Sequence, residues 1–389
     1  MKPSVTYLDH AATSPLLPVA RTAMLEVLDG TFGNASSLHS PGHAAQSIVE
    51  DARSAVAKLI NASPEEIIFT SGGSESNNTV TETFRGQKIA VSSIEHASVL
   101  ESSRARASEV IKLPVDQFGR VDMGEISHAS QLGVNLFSIM LANNEIGTIQ
   151  PVSEFSRALQ ASDKPVYLHS DATQALGKIK IDVQALGVDY LTISAHKIGG
   201  PIGIGALYVR QGVPFKPLII GGHQEHLRRA GTTNTAAIAG FGAAAQWCWD
   251  NWSCKKWVEV ATLRDQLKSR ILQTIPYSSC NSPDHGCLPN ILNMSFRAAE
   301  GESIQLYLDA DDVIVSTGSA CASGDLEPSH VLMALHHDAE IAHSSIRFSF
   351  GLETTPADID RVMSVLPKII ARLQGMSTIK LGESHEKPR

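Results

Sequence analysis

The sequence predicts an α/β protein in which a large domain with a mostly parallel sheet is joined to a smaller α+β domain. Short apolar runs rich in β-branched residues alternate with longer helical patterns as far as about residue 250, where the texture changes. Alternation of this kind is typical of a parallel sheet, because two parallel strands need a long, usually helical, connection. The 389 residues are enough for two domains.

The predicted strands of the large domain are short apolar runs at residues 66–70, 88–93, 134–141, 166–170, 190–194 and 206–209. Helical patterns at residues 41–60 and 152–160 lie between them. Ligands of such sheets bind at the carboxyl ends of the strands. Polar residues at those ends are therefore the first candidates for a functional site.

Beyond residue 250 the predicted elements are a helix at 255–275, strands at 291–296 and 312–316, a helix at 329–335, a strand at 345–349 and a helix at 356–373. This mixture is typical of an α+β domain. We predict a large domain of residues 15–254 and a small domain that combines residues 1–14 with residues 255–389.

Composition excludes several classes of protein. Hydrophobic residues make up 43% and charged residues 19%, as in an ordinary globular protein. No apolar run approaches the roughly 20 residues of a membrane span, and the N-terminus lacks an apolar signal segment, so we expect a cytoplasmic protein. The formal charge of -8 disfavours non-specific binding of nucleic acid, and no direct contact with nucleic acid is expected.

The cysteines predict reduced thiols and no metal site. Their number, five, is odd, and the spacing of Cys280 and Cys287 matches no zinc-ligand pattern. Cys321 differs from the others because it lies among small residues, in the segment 316–324 (STGSACASG), which indicates a flexible loop. A thiol on an exposed loop is suited to reactivity, whereas most free cysteines are buried and structural. Composition leaves both readings of Cys321 open.

Two segments at strand ends have residues suited to a phosphorylated cofactor. Residues 70–78 (TSGGSESNN) follow a strand and open a helix, so backbone N–H groups near Gly73 and the hydroxyl of Ser74 can face an anion. Residues 194–197 (SAHK) end another strand before a glycine-rich turn. A lysine in such a place can form a Schiff base if burial and nearby cations depress its pKa. An ordinary helix cap and an ordinary surface lysine remain the alternatives.

Two further strand ends contribute an acid and an imidazole. Asp171 closes an apolar strand, where a protonated pyridine nitrogen would satisfy its carboxylate, and Gln174 follows one turn later, where it can donate to a phenolic oxygen. His96 follows the strand at 88–93, and its ring can stack on a flat cofactor and exchange protons near neutral pH. A structural role for a lone histidine remains open. Four such features at the strand ends of one sheet favour a site.

With these residues assembled, the sequence closely resembles the cysteine desulfurases, which belong to the class-V aminotransferase group of the fold-type I pyridoxal-phosphate enzymes. The resemblance runs from residue 7 to about residue 365. Its most specific segments are 7–13 (YLDHAAT), 143–148 (NNEIGT), 194–197 (SAHK), 229–232 (RAGT), 318–321 (GSAC) and 342–349 (AHSSIRFS). The long segment around Cys321 resembles the family's first group. Gly73 and Thr317 depart from the residues common in that family, and neither departure alters a catalytic atom.

The resemblance implies a pyridoxal 5'-phosphate cofactor bound covalently to Lys197. It further implies the following cofactor contacts: His96 stacking on the ring, Asp171 pairing with its nitrogen, Asn144 and Gln174 beside its phenolic oxygen, and Gly73, Ser74, Ser194 and His196 at its phosphate, together with Thr232 from the partner subunit of a homodimer. Arg347 would bind the substrate carboxylate, a task that suits guanidinium geometry.

The implied activity is the conversion of L-cysteine to L-alanine. Lys197 would remove the Cα proton, Cys321 would attack the substrate sulfur as a thiolate and become a persulfide, and His96 would carry protons for the thiols. The sulfur would pass to an acceptor protein that serves iron–sulfur assembly, tRNA thiolation or DNA phosphorothioation. The alternatives are a selenocysteine lyase or another class-V enzyme, which needs no sulfur-accepting thiol, and a non-catalytic scaffold that binds partner proteins.

Overall fold

The computed structural model confirms the predicted α/β class. It describes residues 5–160, 165–251, 254–318, 328–335, 338–379 and 381. Over these residues the strands, in chain order, are β1 Thr6–Tyr7, β2 Ile67–Thr70, β3 Lys88–Ser92, β4 Glu109–Leu113, β5 Leu136–Ser138, β6 Tyr167–Asp171, β7 Tyr190–Ser194, β8 Gly205–Val209, β9 Ser278–Cys280, β10 Ile291–Phe296, β11 Val313–Ile314 and β12 Ser345–Ser349.

Helices cover both faces of the large sheet and the outside of the smaller ones. They are α1 Pro18–Gly30, α2 Ser40–Leu59, α3 Gly73–Thr83, α4 Ala97–Arg106, α5 Met123–Gln131, α6 Val152–Leu159, α7 Val183–Leu186, α8 Thr235–Asn251, α9 Cys254–Thr274, α10 Gly301–Ala310, α11 His330–Ala334, α12 Ala339–His343 and α13 Pro356–Met376. None of the helices in the described ranges is long and apolar enough to cross a bilayer.

Seven strands form the large sheet in the order β2-β8-β7-β6-β5-β3-β4. Only β8 runs antiparallel to its neighbours, β2 and β7. The other pairs are parallel, so the strands that precede the candidate site residues all end at the same edge. The sequence reading missed β4, because its charged residues Glu109 and Lys112 hide the apolar pattern. Such residues are typical of an exposed edge strand.

There are two smaller sheets in the described structure: an antiparallel one with the order β12-β10-β9 in the C-terminal half, and a parallel pair of β1 with β11. The pairing of β1 joins the N-terminus to residues more than 300 positions later. Leu8 accordingly packs in a core with α9, α10, α13, β10 and β12, which is separate from the core of the large sheet. These contacts support a division near residues 15 and 254, which stays a prediction.

Close packing fixes the turn that leads from β2 into α3. Gly205 of β8 pairs with Thr70 at the end of β2. A Cβ atom on Gly205 would lie 2.8 Å from Gly72 Cα and 2.7 Å from Ile193 O, closer than real contacts allow. The absence of a side chain at Gly205 therefore sets the position of the β2–α3 turn against the sheet.

Replacement of Gly205 by Ala should displace this turn. We expect Gly205→Ala to destabilise the fold by about 1–3 kcal/mol, the usual cost of overpacking a tight contact. The measurement is the midpoint of thermal unfolding, with and without cofactor. Gly30→Ala is the matched control, because the space around Gly30 at the exposed end of α1 is open. Equal midpoints for Gly205→Ala and the wild type would contradict the proposed constraint.

Candidate active site

The turn between β2 and α3 has the form of an anion cradle. Gly72 adopts a φ of 151°, and α3 begins at Gly73 without a side-chain cap on its first N–H groups. Those groups and the exposed Ser74 hydroxyl are available to an anion. A Cβ on Gly73 would lie 3.3 Å from Thr173 Oγ1, which is buried and has no hydrogen-bond partner in the described part of the chain.

Lys197 lies on a short 3₁₀ turn, Ala195–Ile198, which directly follows Ser194 at the end of β7. Its Nζ donates to the carbonyl oxygens of Ala11 and Ala12, the latter at 2.6 Å. Lys178 is buried beside it and donates to Lys197 O at 3.3 Å. Burial and the nearby Lys197 ammonium lower the pKa of Lys178 to about 7. The surroundings of Lys197 thus disfavour additional positive charge.

His196 shares these surroundings. Its Nδ1 lies 3.2 Å from Thr13 Oγ1. Burial, and then the ammonium groups of Lys197 and Lys178, lower the pKa of His196 to about 4. A neutral imidazole at this position can donate one hydrogen bond to a phosphate without being a second fixed charge.

Asp171 ends β6 and is buried without a cation. Its Oδ2 accepts from Asn77 Nδ2 at 2.8 Å, and its Oδ1 accepts from Thr173 N at 2.9 Å. No lysine, arginine or histidine forms a salt bridge with it among the residues that the structure describes. A buried carboxylate with only neutral donors fits a protonated ring nitrogen.

His96 caps the N-terminus of α4. Its Nδ1 accepts from Ser98 N at 3.1 Å and lies 2.8 Å from Ser98 Oγ. Asn77 Nδ2 donates to the same hydroxyl at 2.9 Å. The sequence reading missed Asn77 and Ser98. Their only sequence signal is the polar character of the two strand-end segments that hold them.

Gln174 and Asn144 were predicted beside a phenolic oxygen, which stays a prediction, and the structure shows their contacts within the protein. Gln174 donates through Nε2 to Ala11 O at 2.9 Å, and its buried Oε1 lacks a partner within the described ranges. Asn144 contributes its backbone oxygen to Arg347 Nη1 at 3.0 Å. The polar contact of the Gln174 side chain therefore anchors the N-terminal segment that also contacts Lys197.

Arg347 is buried on β12 and faces the large domain. Its Nη2 forms an ion pair with Asp9 at 2.9 Å. Its Nε is buried and unpaired over the described residues. The guanidinium therefore retains a donor for a substrate carboxylate, and Asp9 would share or give up Nη2 on binding.

Glu145 is a buried acid that the sequence reading did not single out. Ser329 Oγ donates to its Oε2 at 2.5 Å, and a Cβ on Gly318 would lie at the same distance from that oxygen. Burial raises the pKa of Glu145 to about 7. Gly318 and Ser329 flank the segment that contains Cys321, which lies outside the described residues.

The other described thiols are poor nucleophiles. Burial raises the pKa of Cys248 to about 11 and that of Cys287 to about 12, and it also raises the pKa of Cys280. Burial is the usual state of an inert structural cysteine. These three residues therefore do not compete with Cys321 for the role of reactive thiol.

Thr232 is exposed and lines a cleft with Ser71 and Gly203, on the outer side of the cradle. Arg229 ties this segment to the first turn of α3 through an ion pair with Glu75 at 2.9 Å. The side chain of Thr232 is therefore exposed at the surface of its own chain, next to the turn between β2 and α3.

Lys197, a buried carboxylate with no cation paired to it among the described residues, and an anion cradle lie at one edge of an α/β sheet. Together they define a pyridoxal-phosphate-dependent enzyme. The family described as "Aminotransferase class-V" matches residues 6–362, and the chain belongs to this family, among its cysteine desulfurases. The unpaired buried atoms of Thr173, Gln174 and Arg347 fit the polar groups that such a cofactor and an amino-acid substrate offer.

Relatives and solved structures agree on this assignment. "Cysteine desulfurase IscS" of Dictyoglomus turgidum is 45% identical over 96% of this chain and 96% of its own length. "Cysteine desulfurase IscS 1" of Archaeoglobus fulgidus is 42% identical over 96% of this chain and 99% of its own. A solved "NifS-like protein" has a TM-score of 0.88 at 35% identity, with coverage of 95% of this chain and 100% of its own. The structure titled "SspA in complex with cysteine" has a TM-score of 0.78 at 30% identity, with coverage of 90% and 99%.

The raised pKa of Glu145 predicts a pH-dependent stability. An acid that is harder to ionise when folded stabilises the fold below its unfolded pKa of 4.5, and this contribution is lost as the pH rises through about 7. Glu145→Gln removes the ionisation, so its stability relative to the wild type should increase between pH 5 and pH 8 by up to about 3 kcal/mol. Thermal unfolding at both pH values measures it.

Glu154→Gln, on the exposed face of α6, is the matched control for this comparison. It should show the same stability relative to the wild type at both pH values. If the difference between Glu145→Gln and the wild type is also unchanged between pH 5 and pH 8, Glu145 is ionised in the folded protein and the assignment is wrong.

Proposed function

We propose that this enzyme takes sulfur from L-cysteine, releases L-alanine and holds the sulfur as a persulfide on Cys321. The observation that carries the proposal is the placement of Asp171 and Lys197 after adjacent parallel strands, β6 and β7, with no cation paired to Asp171 among the described residues. The names of the relatives and the cysteine bound to a structural neighbour support the substrate.

Each predicted cofactor contact is part of this proposal. When bound, pyridoxal 5'-phosphate supplies an electron sink for the bonds at the substrate's Cα. Lys197 would hold it covalently, and Asp171 would pair with its ring nitrogen. The remaining contacts would be made at the phosphate by Gly73, Ser74, Ser194, His196 and Thr232, and at the ring or phenolic oxygen by His96, Asn144 and Gln174.

The chain's own residues then divide the work on the substrate. Arg347 would orient the carboxylate. Lys197 would take the proton from Cα as a neutral amine. The thiolate of Cys321 would attack the substrate sulfur, so that an S–S bond forms while the substrate's C–S bond breaks. His96 would hold and return the protons of the thiols, and protons delivered to Cβ and back to Cα complete alanine.

The proposal includes a homodimer, a cytoplasmic location and an acceptor protein. That acceptor serves iron–sulfur assembly, tRNA thiolation or DNA phosphorothioation, and its identity stays open. Large apolar side chains are exposed near the outer side of the cradle at Ile202 and Ile220, with exposed fractions of 76% and 86%. Phe32 and Leu38 are about as exposed, at 90% and 91%. Exposed apolar side chains of this size favour a protein partner. The segment of Thr232 lies near Ile220, because the backbone N–H of Ala230 donates to Ile219 O.

The first test is the reaction itself. Wild-type enzyme incubated with L-cysteine and a reductant should form alanine and sulfide in equal amounts, and Cys321→Ala should form neither while keeping the cofactor's absorbance. Cys280→Ala, which removes a half-buried thiol with a raised pKa, is the control and should retain activity. Both products and the bound persulfide are measured.

Alternative outcomes separate the rival functions. Sulfide and alanine from Cys321→Ala would mean that the sulfur never passes through Cys321, and a lyase would then be the better assignment. A marked preference for selenocysteine would support a selenocysteine lyase. A wild-type protein that binds the cofactor and makes neither product would support the scaffold.

The second test is the dimer. Light scattering should give twice the chain mass of 41.7 kDa for the wild type. Ile220→Asp should shift the protein toward the single-chain mass and weaken cofactor binding, because a charge would be buried in the interface and Thr232 would be withdrawn from the partner's site. Leu306→Asp, an equally drastic change at a 70% exposed position of α10, should leave the dimer intact. A wild type at the single-chain mass would refute the role of Thr232.

A further inference from the structure

Four side chains connect the acid of the site to its imidazole. They run from Asp171 through Asn77 and Ser98 to His96 in three consecutive hydrogen bonds of 2.8, 2.9 and 2.8 Å. We propose that Asn77 and Ser98 are positioning residues that keep the hydrogen of the neutral His96 ring on Nε2. This inference rests on the proposed function only for the role of His96 in proton transfer.

The first bond fixes the orientation of the Asn77 amide. An ionised carboxylate only accepts hydrogen bonds, so the Asn77 atom at 2.8 Å from Asp171 Oδ2 must be the nitrogen. Asn77 is 1% exposed, and its Oδ1 is buried without a partner in the part of the chain that is described. The Asn77 oxygen makes no hydrogen bond there, and in this orientation the two hydrogens of Nδ2 bond to Asp171 and Ser98.

The second bond fixes the hydroxyl of Ser98. The other hydrogen of Asn77 Nδ2 points at Ser98 Oγ, which is therefore an acceptor in this contact. The hydrogen of the hydroxyl is left for another partner, and His96 Nδ1 lies 2.8 Å away. Ser98 thus donates to the ring.

The third contact fixes the ring. His96 Nδ1 faces two donors, the Ser98 hydroxyl and the Ser98 backbone N–H at 3.1 Å. A hydrogen on Nδ1 would oppose both, and it would also lie at the positive end of the α4 dipole. The neutral ring therefore carries its hydrogen on Nε2, and both contacts hold the ring plane in place.

This arrangement gives His96 a defined starting state. It would enter the reaction as a hydrogen-bond donor at Nε2. To hold a proton taken from a thiol, the ring would accept that proton at Nδ1 and give up its contacts with Ser98. The arrangement also depends on Oδ2 of Asp171 as the acceptor of the Asn77 hydrogen bond. The same amide thus couples the carboxylate proposed for the ring nitrogen to the imidazole proposed to stack on the ring.

The test reads the tautomer directly. Holoenzyme labelled with ¹⁵N in its histidine rings is examined by NMR, and His96→Gln identifies the His96 signals. We expect a hydrogen-bearing Nε2 and an unprotonated Nδ1 in the wild type. In Asn77→Ala and Ser98→Ala the Nδ1 signal should move toward the hydrogen-bearing range, and alanine production should fall about tenfold, a typical cost of losing an orienting partner.

Two matched variants separate positioning from stability. Ser98→Thr keeps the hydroxyl and should restore both the tautomer and most of the rate. Ser102→Ala removes a buried hydroxyl from the same helix, which donates to Val99 O in the described structure, and should change neither. Midpoints of thermal unfolding and the cofactor content are recorded for every variant.

The inference is overturned if the wild-type hydrogen lies on Nδ1, or if Asn77→Ala and Ser98→Ala leave the Nδ1 signal in place. Equal loss of rate in Ser102→Ala would also overturn it, because the effect would then be structural. A wild type that makes no alanine but shows the Nε2 tautomer would refute the proposed function and leave the tautomer assignment standing.

Discussion

The buried carboxylate of Asp171 is the constraint on which the rest of the site depends. In the described structure it receives neutral donors, Asn77 and the backbone N–H of Thr173, and no ion pair. Removing an ionised group from water without a cation is costly, and two neutral hydrogen bonds compensate only part of that cost. The fold maintains this carboxylate at the end of β6, between two other strands of a sheet. The carboxylate is therefore suited to a positive partner that the described residues do not supply.

Other polar atoms of the candidate site are also buried without a hydrogen-bond partner in the described structure. Thr173 Oγ1, Gln174 Oε1 and Arg347 Nε are all buried and unpaired over the described residues. Buried polar atoms in native proteins are nearly always satisfied, so several exceptions at one edge of a sheet indicate groups reserved for a ligand. Lys197 Nζ donates to the carbonyl oxygens of Ala11 and Ala12, and these hydrogen bonds can be broken when the amine forms a covalent bond. Gln174 and Arg347, which are proposed to bind the cofactor and the substrate, thus retain polar atoms without a partner in the described part of the chain.

The sequence predicted the fold and the strand-end residues because those depend on local pattern. Strands β6 and β7 are apolar runs closed by polar residues, and parallel pairing brings such ends together whatever lies between them. The charged edge strand β4 has no such pattern. Asn77, Ser98 and Glu145 were missed for a different reason: their roles arise from contacts across 94, 21 and 184 positions respectively, and nothing in their own neighbourhood in the sequence specifies the partner. The ion pair of Arg347 with Asp9 was missed for the same reason, because it forms only when β1 packs into the small domain.

Glu145 shows how the two domains can be coupled at the site. It lies in the turn that Asn143 shapes by accepting from Glu145 N and Ile146 N, and that turn contacts Arg347 through Asn144 O. Its carboxyl group meets Gly318 and Ser329, the two positions that bracket Cys321 in the sequence. A buried acid that stays neutral can donate one hydrogen bond as well as accept, whereas its ionised form can only accept. Oε2 of Glu145, which accepts from Ser329 and lies near Gly318, therefore changes its bonding near neutral pH, close to the arginine proposed to bind the substrate. Coupling between Arg347 and the residues on either side of positions 319–327 can thus pass through one carboxyl group rather than through a rearrangement of the sheet.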